Sequence, residues 1–188
     1  MTCISDSCRT ASDCTRHLSL LLQTDDTSTR LKAEKRIAAL AEDLRALRSG
    51  SARNELVAAG SLLRARFTVD ASGSRASLRP TDVLETAQGN PLVLGAVAVT
   101  AARQAGMALG LLAGARGRFV VAHATLARPL VLDLHDGFAL RNVDGDESSF
   151  RWLCAHVTAQ RVGELLAPQP VRRVRTGDTP ARLVASPN

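Results

Sequence analysis

The feature that most constrains the fold is the run Pro91-Leu92-Val93-Leu94-Gly95-Ala96-Val97-Ala98-Val99, inside the longest apolar block of the chain, residues 84–140. Pro91 suits the first turn of a helix, because its missing N–H is one of the donors left unbonded there and its φ is already helical. Asn90 before it can act as the N-cap, and Gly106 can supply the left-handed residue that closes a helix. The pattern predicts a helix over residues 91–105 that is apolar on nearly all sides and therefore buried at the centre of a domain. Free N–H groups and the dipole at its N-terminus would favour an anion or a thiolate.

The other segments are read as layers around that helix. The chain has 188 residues, enough for one domain with tails, and a hydrophobic fraction of 45% rules out wholesale disorder. Aromatics are only 3%, with no Tyr and one Trp, so the core must be mostly Leu, Val and Ala. The net charge is +6, carried by Arg apart from Lys32 and Lys35, a bias most simply explained by a GC-rich coding background. It also permits contact with acidic partners or phosphate. Residues 92–115 are nearly free of polar groups, but Arg103 and glycines at 95, 106, 110 and 114 interrupt them. A buried helix followed by a buried strand fits better than a membrane span. With no secretory signal pattern, the expected location is cytoplasmic, without membrane attachment.

In chain order, residues 1–29 form a Cys/Ser/Thr-rich segment expected to be flexible. Cys3, Cys8, Cys14 and His17 make the one candidate metal set, but their spacing matches no usual ligand knuckle and favours reduced cysteines. Cys154 reads as a small buried apolar residue. Residues 29–48 predict an amphipathic helix with Leu31, Ile37, Leu40, Leu44 and Leu47 inward. A second helix is expected from 52 to 67, a loop over 70–75 and a short helical turn over 80–85. After the central helix the period changes, and strands are expected over 107–113, 118–124, 129–133 and 138–140. Ser148 or Ser149 could cap a last helix over 149–166. Residues 167–188 read as a basic, Pro-containing flexible tail with the cluster Arg172-Arg173-Val174-Arg175. Scarce aromatics argue against nucleic-acid binding by that tail. No phosphate-binding glycine loop occurs, and no cofactor is implied. The expected fold class is α+β, with residues 30–166 as the domain.

The blocks Val83-Leu84-Glu85…Gly89-Asn90-Pro91-Leu92, Ala105-Gly106-Met107, Gly117-Arg118-Phe119-Val120-Val121 and Leu132-Asp133-Leu134-His135-Asp136-Gly137 together resemble the bacterial transglutaminase-like family. The branch meant is the one whose transglutaminase-like core usually precedes a tetratricopeptide-type helical region. Its blocks read like V-L-E-R-R-x-G-I-P, G-H-F and L-D-P-F-D-G-G, and the resemblance covers roughly residues 52–166. It implies a papain-like core, with a buried central helix packed on a small antiparallel sheet and flanking helices.

The wider family uses a Cys–His–Asp triad, with the thiol at the N-terminus of the buried helix. The resemblance puts the thiol position at Pro91 and the histidine position at Arg118, and keeps only the acid, Asp133. The chain thus reads as a degenerate member, a transglutaminase-like pseudoenzyme binding another protein or regulating it. Asn90, Arg118, Asp133 and Asp136 are its candidate ligand-binding residues, which could also admit a small anionic ligand. The alternative is a hydrolase or acyl-transfer-type enzyme with a non-standard site around Asp133, Asp136 and His135, or His123, positioning a metal or a water.

Overall fold

Eleven of the fourteen residues of the helix Pro91–Gln104 are buried, which makes it the centre of the structure. The computed structural model describes residues 26–72, 74, 76–114, 118–126, 130–142 and 150–152. Cys3, Cys8, Cys14, His17, Cys154, residues 153–166 and the Arg172–Arg175 cluster lie outside the described residues. The elements in order are α1 (Thr27–Ala46), α2 (Ala52–Arg66), β1 (Thr68–Val69), α3 (Pro80–Thr86), β2 (Gln88–Gly89), α4 (Pro91–Gln104), β3 (Leu109–Gly114), β4 (Phe119–His123), β5 (Leu130–Asp133), β6 (Ala139–Asn142) and β7 (Phe150–Trp152). Tight 3₁₀ turns occupy Ala76–Leu78 and Leu134–Asp136. Helices followed by an antiparallel sheet give an α+β arrangement.

The long apolar run is divided at Gly106. Its amide donates to Arg103 O and that of Met107 to Ala102 O, the paired bonds that satisfy the last carbonyls of a helix, with Gly106 at φ +81°. The chain then reverses into β3. No helix among the described residues is long and apolar enough to cross a membrane.

Helix α4 can lie close to the sheet because Gly95 has no side chain. A Cβ there would come within 2.6 Å of the Leu111 and Leu134 side chains. Helix α1 packs on α4 and α3 through Ala33, Ile37, Leu40, Ala41 and Leu44, a stripe at helical spacing. Leu31 and Leu47, expected inward, are exposed instead. Leu31 falls on the far side of the helix from that stripe, and Leu47 is the C-cap, where the chain turns away. The helix also starts at Thr27, because Asp26 accepts the Thr29 N–H and caps it.

The five-stranded sheet has the order β6-β5-β4-β3-β7 and is antiparallel throughout. Strand alternation divides its residues cleanly. Leu111, Val121 and Leu132 face the core that contains α4, while Leu112, Val120, Ala122 and Val131 form a separate apolar cluster. The helix expected to begin at residue 149 is corrected at its start, where Phe150–Trp152 is a strand paired with β3. The open edge of β3 offers those backbone groups a ladder, and an aromatic–Arg–aromatic alternation has strand rather than helix preference.

Candidate functional site

The N-terminus of α4 is held by a short parallel pair and a turn. Strands β1 and β2 pair Thr68 with Gln88 and Val69 with Gly89, and Asn90 N–H donates to Ser77 O. Gly89 is required there, because a Cβ would come within 2.7 Å of Val83 and 3.2 Å of Leu94. Asn90 caps the helix through its side-chain oxygen, which accepts the Leu92 N–H at 2.9 Å. Pro91 is buried at the first helical position. No thiol stands at this helix end, and Asn90 itself occupies one of the free N–H groups.

The second part of the expected site lies around Asp133, at the end of β5. Cross-strand register places Asp133 opposite Val120 on β4 and Ala139 on β6. Its diagonal neighbours are then Arg118 and Arg141, within reach of long side chains. Both arginines pair with the Asp133 Oδ2, Arg118 through Nη2 and Arg141 through Nε at 3.1 Å. Oδ1 accepts the His135 N–H at 3.1 Å, which caps the 3₁₀ turn. Arg141 Nη2 also reaches Asp136 at 2.6 Å. The Asp133 side chain is 3% exposed, whereas Arg118 and Arg141 are 54% and 53% exposed, so a buried carboxylate is met by two cations that remain hydrated. The His135 ring does not join the network. It stacks on Phe119, with centroids 6.0 Å apart.

Arg118, Asp133 and Asp136 are therefore brought together, and Asn90 is bonded elsewhere. Alternation gives the reason. Asp133 shares its sheet face with Val131, whereas Leu132 is the residue that joins the core of α4. The carboxylate thus stands on the face away from α4, whose N-terminus carries Pro91. His123 is on the α2 side, opposite to Arg118, as its five-residue offset implies. Its Nε2 lies 3.3 Å from Glu55 Oε2, with both side chains buried. The Thr125 N–H donates to His123 Nδ1 at 3.3 Å, and the Thr125 hydroxyl lies 3.0 Å from it. That acceptor role leaves the proton of the neutral ring on Nε2, which donates it to Glu55.

As chemistry, the Asp133 cluster holds a carboxylate whose two oxygens are engaged by three donors, and among the described residues no histidine ring is hydrogen-bonded to it. Among the described residues, no group of three or more His, Cys, Asp or Glu is placed to hold a metal ion. Two contributors carry little or no signal in the sequence. Arg141 is signalled only by the tight turn at Asp136-Gly137, which puts it diagonally across from Asp133. Glu55 has no local signal, since it lies 68 residues from His123. Comparison with protein-family models, with curated proteins and with solved structures yields no match.

Proposed function

We propose that this chain is a non-catalytic binding or regulatory module on a degenerate transglutaminase-like core, with another protein as its partner. The observation that carries the reading is the engagement of Asp133. Its Oδ2 is paired with Arg118 and Arg141 and its Oδ1 takes the His135 N–H, so the one retained acid of the family's triad has nothing left to orient. The absent thiol supports the same reading. Pro91 only starts a helix, and Arg118 pairs with Asp133 on the sheet face away from that helix, so no nucleophile and base converge with the acid. An arginine cannot act as that base, because it stays protonated throughout the accessible pH range.

The test is an assay of the purified chain for amide and ester hydrolysis and for glutamine–amine acyl transfer, beside Asp133→Asn. No turnover above the uncatalysed rate is expected for either protein. Thiol-independent turnover that disappears in Asp133→Asn would overturn the reading in favour of an enzyme centred on Asp133.

A further inference from the structure

Strand β6 is an edge of the sheet, and beside it lies an apolar groove between α2 and the β5–β6 hairpin. Its volume is about 350 Å³, and Val57, Gly60, Leu132, Phe138 and Leu140 supply its apolar wall and floor. Gly60 sets the depth, since its Cα side is filled by Leu132, to which a Cβ would approach within 2.6 Å. Four large hydrophobic residues are exposed among the described residues, and two of them, Val57 at 39% and Leu140 at 40%, flank this one groove. Together they give the groove an apolar rim.

The groove runs beside a strand whose outer side bears no partner among the described residues. Leu140 is paired with Leu132 across β5–β6 and shares its face, toward α2. A strand added outside β6 would place every second side chain on that same face, continuing the row from Leu132 through Leu140. Its remaining contacts would be main-chain hydrogen bonds to the outward N–H and C=O groups of β6.

Charge selects the occupant. Among the described residues the only charged side chain lining the groove is Arg64, whose Nε donates to Gly137 O. Arg53 is exposed and lies on the same helical face, one turn before Val57. Neither arginine forms an ion pair with a described residue, whereas the nearby carboxylates of Asp133 and Asp136 are already matched by Arg118 and Arg141. A second copy of β6, Ala139-Leu140-Arg141-Asn142, would bring another arginine and no acid to this edge.

We infer that β6 and the α2 groove bind an extended acidic segment of another protein, added as a strand, with an apolar side chain in the groove and carboxylates at Arg53 and Arg64. This rests on the binding-module reading above and names the partner's chemistry. The test is selection of random linear peptides against the full chain, followed by fluorescence polarisation of the enriched peptides. Sequences that carry an apolar and an acidic residue two positions apart, on one face of the added strand, are expected. Their affinity should fall at least about tenfold in Arg64→Glu and in Val57→Asp, both exposed positions whose variants should keep the wild-type circular dichroism. Amide exchange at Ala139–Asn142 should slow on binding, and Asp133→Asn should bind normally. The inference is overturned if no peptide is enriched over denatured chain, or if binding ignores both variants. It is equally overturned if light scattering shows a dimer that Leu140→Arg dissociates, which would make a second copy the occupant. Asp133-dependent turnover would instead defeat the non-catalytic reading and leave the groove untouched.

Discussion

Asp133 and Glu55 are both buried carboxylates, yet they are satisfied in opposite ways. Asp133 sits at the end of β5 and is met by two arginines that are more than half exposed. Glu55 sits on α2 and meets His123, which is as buried as itself, while its other oxygen accepts the Ser49 N–H at 3.1 Å. Arg48 approaches only to 3.9 Å. The difference teaches where specificity resides. The arginine cluster is open to water and can re-form or rehydrate, whereas the Glu55–His123 pair has no solvent to fall back on and locks α2 to the end of β4.

The largest effect is therefore expected at the hidden pair. His123→Leu leaves Glu55 buried without its main donor, and should cost about 3 kcal/mol in urea unfolding, the upper scale for a hydrogen bond to a buried charged group. Replacing both partners in Glu55→Leu/His123→Leu should restore much of that loss, less about 1 kcal/mol for the stranded Ser49 amide. If His123→Leu costs no more than removal of one exposed arginine, the contrast between the two sites collapses.

At Asp133 the expected pattern is redundancy. Arg118→Ala and Arg141→Ala should each cost about 0.5–1 kcal/mol, because the other cation remains. Together they strand a buried acid, and the double variant should lose about 2–3 kcal/mol, more than the sum of the singles. Strict additivity in the same denaturation series would mean that the two arginines act independently and that Asp133 does not couple them.

Ionic strength sharpens the comparison further. Going from about 0.1 M to about 1 M salt shortens the screening length from about 10 Å to about 3 Å, which reaches exposed charges and spares buried ones. The stability gap between wild type and Arg118→Ala should shrink by about half in high salt, on a scale below 1 kcal/mol. The gap for His123→Leu should persist. Equal sensitivity of both gaps would show that water reaches Glu55.

How much of this was legible follows from sequence distance. Helix α4 announces itself through Asn90-Pro91 and Gly106, signals that lie within the element, and its borders agree with them to a residue. Arg118 and Asp133 were named through motif order, and the hairpin register then brings them together. The face of Asp133 could also be read, since Leu132 and Asp133 cannot both point to α4, but only once β5 is known to pack Leu132 inward. Glu55 and His123 meet because α2 crosses the sheet, which no local pattern records. At the start of β7 Ser148-Ser149 mimics a helix cap in the sequence, while the ladder offered by β3 decides the pairing. Val57 and Leu140 are unremarkable alone, and only packing of α2 against the β5–β6 hairpin makes them neighbours.

The smallest effect concerns a third kind of carboxylate, open to solvent and held by local donors. The Thr29 hydroxyl, and then its amide, keep Asp26 below the ordinary aspartate value of 3.8. Asp70 is lowered in the same way, by Ser72 first and Ser74 after it. A carboxyl whose pKa is depressed by folding stabilises the native state at pH above the unfolded value, and that contribution is lost as pH falls through the lower folded value. Both groups should thus add slope to the acid limb of the thermal midpoint, measured from about pH 5 down to about pH 2. Asn is as good an N-cap as Asp, so Asp26→Asn should leave the midpoint near neutral pH almost unchanged while flattening the acid limb. The charge, not the cap geometry, is what the variant removes. Parallel curves for Asp26→Asn and wild type would show that Asp26 serves α1 through its shape alone, and would place the acid sensitivity of the fold elsewhere than in its exposed caps.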